Sequence, residues 1–363
     1  MSMRNLGDSV ILPRSGIEIR NRSVLAALTN KQSNDDGTLS ESEIKWLERR
    51  SRDGFGLVTT AAAFVHPSGK SWDGELGVHS DLMLPGLTEL ANRIRNHGAL
   101  GLVQIFHGGM RAPSKITGLV PISSGDNSTN LSSTNLSRSM SGPEIEAAVE
   151  WFVDAAVRCS EAGFDGVEIH GAHGYLITQF MGSKTNKRRD RWGGSLDARA
   201  LFLLEIVRRI RKNVPRDFII SVRLSPEHPS CGISIEDSLK ISKMLVDEDV
   251  DILHISCWDI RNRTKIESTE KPLTQIFSDE LGDSIPLITT GSIWIEEDVN
   301  EAFRQGASLV GVGRAGIAYP DWPLRVFTSE NRGPPFSEEH LADADLSPRF
   351  IEYMRMWDGF VDD

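Results

Sequence analysis

The sequence is poor in cysteine. Cys159, Cys231 and Cys257 are the only ones in 363 residues, far apart and without a Cys-x-x-Cys pair. Neither a disulfide framework nor a zinc or iron–sulfur site is supported, and a reducing compartment fits. Long apolar runs are missing too: nothing approaches the roughly 18 residues that cross a bilayer. The opening stretch MSMRNLGDSVILPRSG holds no apolar h-region. Export and membrane spanning are therefore not expected, and a cytoplasmic location is. Positive charge is in deficit, with 40 Lys and Arg against 51 Asp and Glu, a net charge of −11. No basic cluster offers itself to a phosphate backbone or an anionic membrane, which leaves a small molecule as the expected partner and a homo-oligomer open. No linker or low-complexity tract divides the chain, so residues 1–363 read as a single domain.

What is present is an alternation. Short apolar, β-branched runs occur at VLAALT (24–29), GLVTTAAAF (56–64), ALGLVQIF (99–106), DGVEIH (165–170), FIISVRLS (218–225), DILHIS (251–256), PLITT (286–290) and SLVGVG (308–313). Longer runs with helical spacing lie between them. Ser40 with Glu43, and Ser141 with Glu144 beside Pro143, fit the capping box at two helix starts. Strand–helix alternation implies parallel pairing, and eight units close a (β/α)8 TIM barrel. The rival, a doubly wound open sheet, wants a glycine-rich loop after its first strand; NKQSNDDGTLS is not one. The irregular stretch 107–141 reads as a loop insertion after the third strand that caps a barrel mouth. The terminal PRFIEYMRMWDGF reads as a C-terminal helical extension packed on the barrel or on a partner subunit.

Barrel enzymes build their sites at the C-terminal ends of strands. Here those ends are unusually polar. Thr29 ends the first run, Gln104 sits in the third, His170 ends the fourth with His173 and Tyr175 just beyond, and Arg223 sits in the fifth. An amide or guanidinium inside an apolar run needs a partner, from the protein or from a ligand. After the last two runs come Gly291–Ser292 and Gly313–Arg314, where barrels often hold a phosphate. GVGRAG (311–316) also spells a dinucleotide fingerprint, but no strand follows to complete the unit. His170 and His173 with Glu168, His254 and Asp259 keep a metal site, and with it a metal-dependent hydrolase, open as an alternative.

The motifs NRSVLAALT, VQIFHGG, EIHGAHGYLITQF with NKRRDRWGGSLDAR, SVRLSP and LVGVGRAGIAYPDWP, in that order between Asn21 and Pro323, resemble the Old Yellow Enzyme family of FMN-dependent ene-reductases. The resemblance implies FMN at the barrel mouth, NADH or NADPH as reductant, and ping-pong reduction of the activated C=C bond of an α,β-unsaturated carbonyl or nitro compound. It places Gln104 and Arg223 on the flavin ring, with Ala27, Thr29 and Ala62 lining it and Gly291, Gly313 and Arg314 on the phosphate. His170 and His173 would bind the substrate carbonyl, and Tyr175 would give the proton. The chain departs from the pattern where Ala27 replaces a common proline, Ala61 a common glutamate, and Gly109–Met110 a common Gly-Arg pair. Thr29 stands where one subgroup has cysteine, while His173 is retained where another often has asparagine.

Overall fold

The computed structural model describes residues 4–266, 269–328 and 331–362. Each of the eight apolar runs forms a strand: β1 (Ser23–Leu25), β2 (Leu57–Phe64), β3 (Leu100–Phe106), β4 (Gly166–Gly171), β5 (Ile219–Leu224), β6 (Ile252–Ser256), β7 (Leu287–Thr290) and β8 (Leu309–Val312). All pair in parallel with their sequence neighbours, and β8 returns to β1, which closes the (β/α)8 barrel. In β2 the register slips between Thr59 and Ala62. Such a bulge re-aims the side chains that follow it.

Helices α1 (Glu41–Arg52), α2 (Leu84–Asn96), α3 (Gly142–Glu161), α4 (Leu196–Asn213), α5 (Ile235–Asp247), α6 (Leu273–Leu281) and α7 (Glu296–Arg304) fill the seven crossovers, and α8 (Arg314–Ala318) follows β8. Their apolar faces and the outer faces of the strands form one continuous core. At α3 the capping box is complete, with Ser141 and Glu144 each bonded to the other's backbone N–H. At α1 it is only half made. Ser40 accepts from the Glu43 N–H, but the Glu43 carboxylate turns inward to Asn30 Nδ2 (2.9 Å) and Ser33 Oγ. The loop after β1 takes that carboxylate because its own buried donors need an acceptor.

Inside the barrel, the N-terminal end is apolar. Val24, Leu57, Leu102, Ile219, Ile252, Ile288 and Leu309 pack together with Leu12 and Ile19, which an antiparallel hairpin (Val10–Ile11 with Glu18–Ile19) inserts as a plug. The hairpin is pinned by Arg14, whose Nε donates to the fully buried Asp251 at 2.7 Å. Sequence periodicity over so short a segment did not announce it.

Residues 107–141 reach the edge of the mouth through Arg111, which lies against the Tyr175 ring and donates to the His173 carbonyl. They also pack against the short helix Leu176–Met181, through Ser123 Oγ and Ser124 Oγ, which donate to the Gln179 side chain and carbonyl at 2.8 Å. The roof comes from α9 (Pro348–Met354), whose Tyr353 and Met354, with Trp357 beyond, overhang the C-terminal mouth of this same barrel. The loop after β1 holds α9 down. Gln32 Oε1 accepts from Ser347 N at 3.2 Å, and the Lys31 ammonium lies 4.9 Å from the Tyr353 ring. All three cysteines are buried and unpaired. Among the described residues no helix is long and apolar enough to cross a membrane.

Candidate active site

A cavity of about 280 Å³ opens at the C-terminal ends of the strands, and every site residue expected from the sequence lines it. Ala27 and Thr29 come from the end of β1, Ala62 from the bulged end of β2, Gln104 from β3, His170, His173 and Tyr175 from β4 and its loop. Arg223 comes from β5, Gly291 from the turn after β7, and Gly313 and Arg314 from the turn after β8. Parallel strands of similar length bring their ends to one rim, which is why residues spread over much of the chain meet.

The cavity has two poles. At one, Arg223 is 8% exposed and donates from Nη1 to the Ala27 carbonyl (2.9 Å) and from Nη2 to Ser256 Oγ (3.0 Å). Its buried Nε has no partner among the described residues. An unpaired guanidinium N–H in a cavity wall calls for an acceptor on whatever occupies the cavity. At the other pole Arg314 donates to Ser292 Oγ at 3.0 Å beside Gly291 and Gly313. Gly291 has φ 145°, and a Cβ there would stand 2.4 Å from the Cys257 carbonyl, so only glycine fits. Ala26, Ala27 and Ala62 supply small side chains to the cavity wall. Small side chains, a cation at one end and an arginine with glycine turns at the other suit a flat ring carrying a phosphate.

His170 and His173 face this cavity, but they are not two free donors. The Ala172 N–H points at His170 Nδ1 (3.3 Å), His170 Nε2 lies 3.1 Å from His173 Nδ1, and His173 Nε2 lies 2.8 Å from Ser256 Oγ. Burial, reinforced by Arg223, lowers the His170 pKa to about 3 and puts His173 well below its usual range. Both rings are therefore neutral with one N–H each. With Nδ1 of His170 accepting, the protons run His170 Nε2–H to His173, then His173 Nε2–H to Ser256. His173 reaches this position with φ 61°, a conformation uncommon for a residue other than glycine. The expected carbonyl clamp is thus internally bonded and must open to receive an oxygen.

Tyr175 stands edge-on to Phe106 (4.9 Å between centroids) and to His170 (5.0 Å). Burial raises its pKa, partly countered by Arg111, so the phenol keeps its proton at neutral pH. The Arg111 guanidinium lies 4.4 Å from the Tyr175 ring and donates to the His173 carbonyl. Among the described residues the metal alternative does not assemble. Glu168 and His254 are bonded to each other at 2.7 Å below the cavity, and Asp259 pairs with Arg261 at 2.8 Å.

Sequence reasoning missed Ser256, Thr290, Arg111 and the aromatic rim of Trp72, Trp258, Tyr353 and Trp357. Ser256 and Thr290 end β6 and β7, so the strand-end rule would have found them. Trp258, 75% exposed, and Trp357 carried no such signal. Cys257 also lines the cavity, with burial pushing its thiol up to about 11.

Comparison with known proteins supplies an independent line. Residues 14–332 match the NADH:flavin oxidoreductase / NADH oxidase family. A probable NADH-dependent flavin oxidoreductase from Bacillus subtilis is 38% identical over 321 residues, covering 86% of this chain and 85% of the relative. An NADH:acrylate oxidoreductase from Vibrio harveyi is 32% identical over 90% of this chain, which spans only 34% of that relative's length. An old yellow enzyme homologue from Zymomonas mobilis superposes with a TM-score of 0.82 at 23% identity, covering 95% of this chain and 98% of that one, and shares the barrel fold.

Proposed function

The chain belongs to the NADH:flavin oxidoreductase / NADH oxidase family, and from that membership we propose that it reduces the activated C=C bond of α,β-unsaturated carbonyl or nitro compounds, NAD(P)H and the substrate taking turns at one site. It is an NAD(P)H-dependent flavin oxidoreductase with FMN as cofactor. The fit of the cavity to that cofactor rests on the partnerless Arg223 Nε at one pole and the Gly291, Gly313 and Arg314 cluster at the other. Gln104 and Arg223 would hold the ring, with Ala27, Thr29 and Ala62 against it. When bound, FMN supplies the two-electron chemistry, accepting hydride from NAD(P)H and delivering it to the substrate's β-carbon.

The observation that carries the reading is the meeting of His170, His173 and a protonated Tyr175 in the same cavity as Arg223. As the β-carbon gains hydride, negative charge grows on the substrate's carbonyl or nitro oxygen. His170 Nε2–H, released from His173, donates to that oxygen, and His173 joins it when its own N–H leaves Ser256. Donors aimed at a developing charge in a water-poor site are a large source of rate. Tyr175 then gives its phenolic proton to the α-carbon as general acid, and solvent restores it. Hydride plus proton saturates the bond. The activity named for the acrylate-reducing relative, whose substrate is an α,β-unsaturated acid, supports this class of acceptor.

Purified protein with FMN is expected to be yellow, to bleach under NADH or NADPH without oxygen, and to regain colour on addition of cyclohexenone, a maleimide or a nitroalkene. Bleached enzyme that no activated alkene reoxidises would overturn the substrate assignment.

A further inference from the structure

The cavity's floor hangs on one buried carboxylate. Glu168, 1% exposed on β4, accepts at Oε1 from Gln104 Nε2 (2.7 Å) and at Oε2 from His254 Nδ1 (2.7 Å) and Ser221 Oγ (3.4 Å). His254, fully buried on β6, places Nε2 3.1 Å from Thr290 Oγ1 on β7. Gln104 and Thr290 line the cavity, whereas Glu168 and His254 lie behind them. Five consecutive strands, β3 to β7, are thus joined by one hydrogen-bonded network.

Burial opposes the charge on Glu168, but His254, Arg223 and Gln104 outweigh it and hold the carboxyl at about 2. Burial lowers His254 as well, so its ring is neutral and carries a single proton. A carboxylate only accepts, and that fact sets every proton in the chain. Gln104 must turn its NH₂ to Glu168, leaving its carbonyl oxygen toward the cavity. His254 must keep its proton on Nδ1, so Nε2 accepts from the Thr290 hydroxyl, and Thr290 shows the cavity lone pairs. Any reversal sets acceptor against acceptor in a dry interior, where a group left without its partner is destabilising.

We propose that Glu168 is a positioning residue of the cofactor site: its charge makes Gln104 and Thr290 acceptors toward FMN and partly offsets Arg223, so it governs FMN affinity and reduction potential from behind the wall. This rests on the FMN assignment above. A role confined to packing predicts lower stability without a change in the flavin's potential.

The test compares holoenzyme of wild type and Glu168→Gln, reading FMN dissociation from the fluorescence of released flavin and the two-electron midpoint potential against a reference dye. With the charge gone, Gln104 loses its fixed orientation and oxidised FMN should bind about tenfold more weakly. Reduced, anionic flavin should be favoured over oxidised by about tenfold more than in wild type, a rise of about 30 mV for a two-electron couple. Wild type that binds FMN while Glu168→Gln matches it, or a potential that stays put while affinity falls, overturns the inference alone. Wild type that binds no FMN overturns the cofactor assignment and the inference with it. Should Glu168→Gln fail to fold, His254→Asn and His254→Leu carry the test. The amide N–H of Asn can replace Nδ1–H and should keep FMN affinity within about threefold, while Leu should lose about tenfold. Equal affinity in the two refutes the proposal.

Discussion

The two ends of the barrel are built from the same strands and differ in almost everything else. At the N-terminal end Leu102, Ile219, Ile252 and Ile288 close on the hairpin plug. Two or four residues further along those strands stand Gln104, Ser221 and Arg223, His254 and Ser256, and Thr290. Because alternate residues of a strand share a face, each strand passes from solvent-free hydrocarbon to hydrogen-bonding chemistry within one or two pleats. The plugged end has no inward proton to exchange and supplies stability. The open end is full of protons whose positions matter, and it tolerates them because nearly each is bonded to a neighbour or aimed at a ligand. A barrel therefore separates folding from function along its axis.

The sharpest way to test that separation is at Tyr175. Tyr175→Phe should slow enone reduction by about 10²-fold or more, because in the proposed reaction only that half takes a proton from the phenol, while anaerobic reduction of bound FMN by NAD(P)H stays within about threefold in stopped-flow traces. Equal slowing of both halves would deny it the role of acid. At the opposite end, Leu102→Ala should destabilise the fold by about 2–5 kcal/mol in denaturant titrations, yet leave turnover per folded molecule unchanged at low temperature. A Leu102→Ala enzyme that is stable but slow would erase the division between the ends.

A further effect concerns acid. His170 has its pKa lowered to about 3 by burial, and burial lowers His173 and His254 too, whereas unfolded histidine titrates near about 6.5. Below that value the unfolded chain takes up protons that the native site refuses until about 3 in the case of His170. The unfolded state holds more protons in this window, so stability rises with pH and is lost as pH falls from 6.5 toward 3. Each histidine contributes at most about 1.4 kcal/mol per pH unit. Hydrogen exchange at pH 7 and pH 5 should show residues 166–175 and 252–256 losing protection before the plug at 10–19, and His170→Gln should flatten the slope. Uniform loss at both ends would contradict the comparison.

Much of this was legible in the sequence. The eight strands announced themselves because both faces of a barrel strand are buried, which writes a continuous apolar run. Gln104 and Arg223 were conspicuous for the same reason, as polar groups where hydrocarbon was due. What stayed hidden was direction and partnership. A motif places His170 and His173 side by side, but only coordinates reveal that one donates to the other and the second to Ser256. Glu43 looked like half of a capping box; the loop it serves instead, at Asn30 and Ser33, is brought near by the fold rather than by a local pattern. The roof is hardest to foresee, since Tyr353 meets Lys31 across nearly the whole chain, and an amphipathic helix does not say which surface it covers.

The condition of the cysteines carries one more consequence. An activated alkene is a Michael acceptor, open to addition of a thiolate as well as of hydride. Burial pushes Cys159 up to about 12 and Cys231 and Cys257 up to about 11, so the nucleophilic anion is vanishingly scarce at neutral pH even for Cys257 in the cavity wall. On the substrate class proposed above, the cavity would hold electrophiles beside a sulfur whose nucleophilic form burial suppresses.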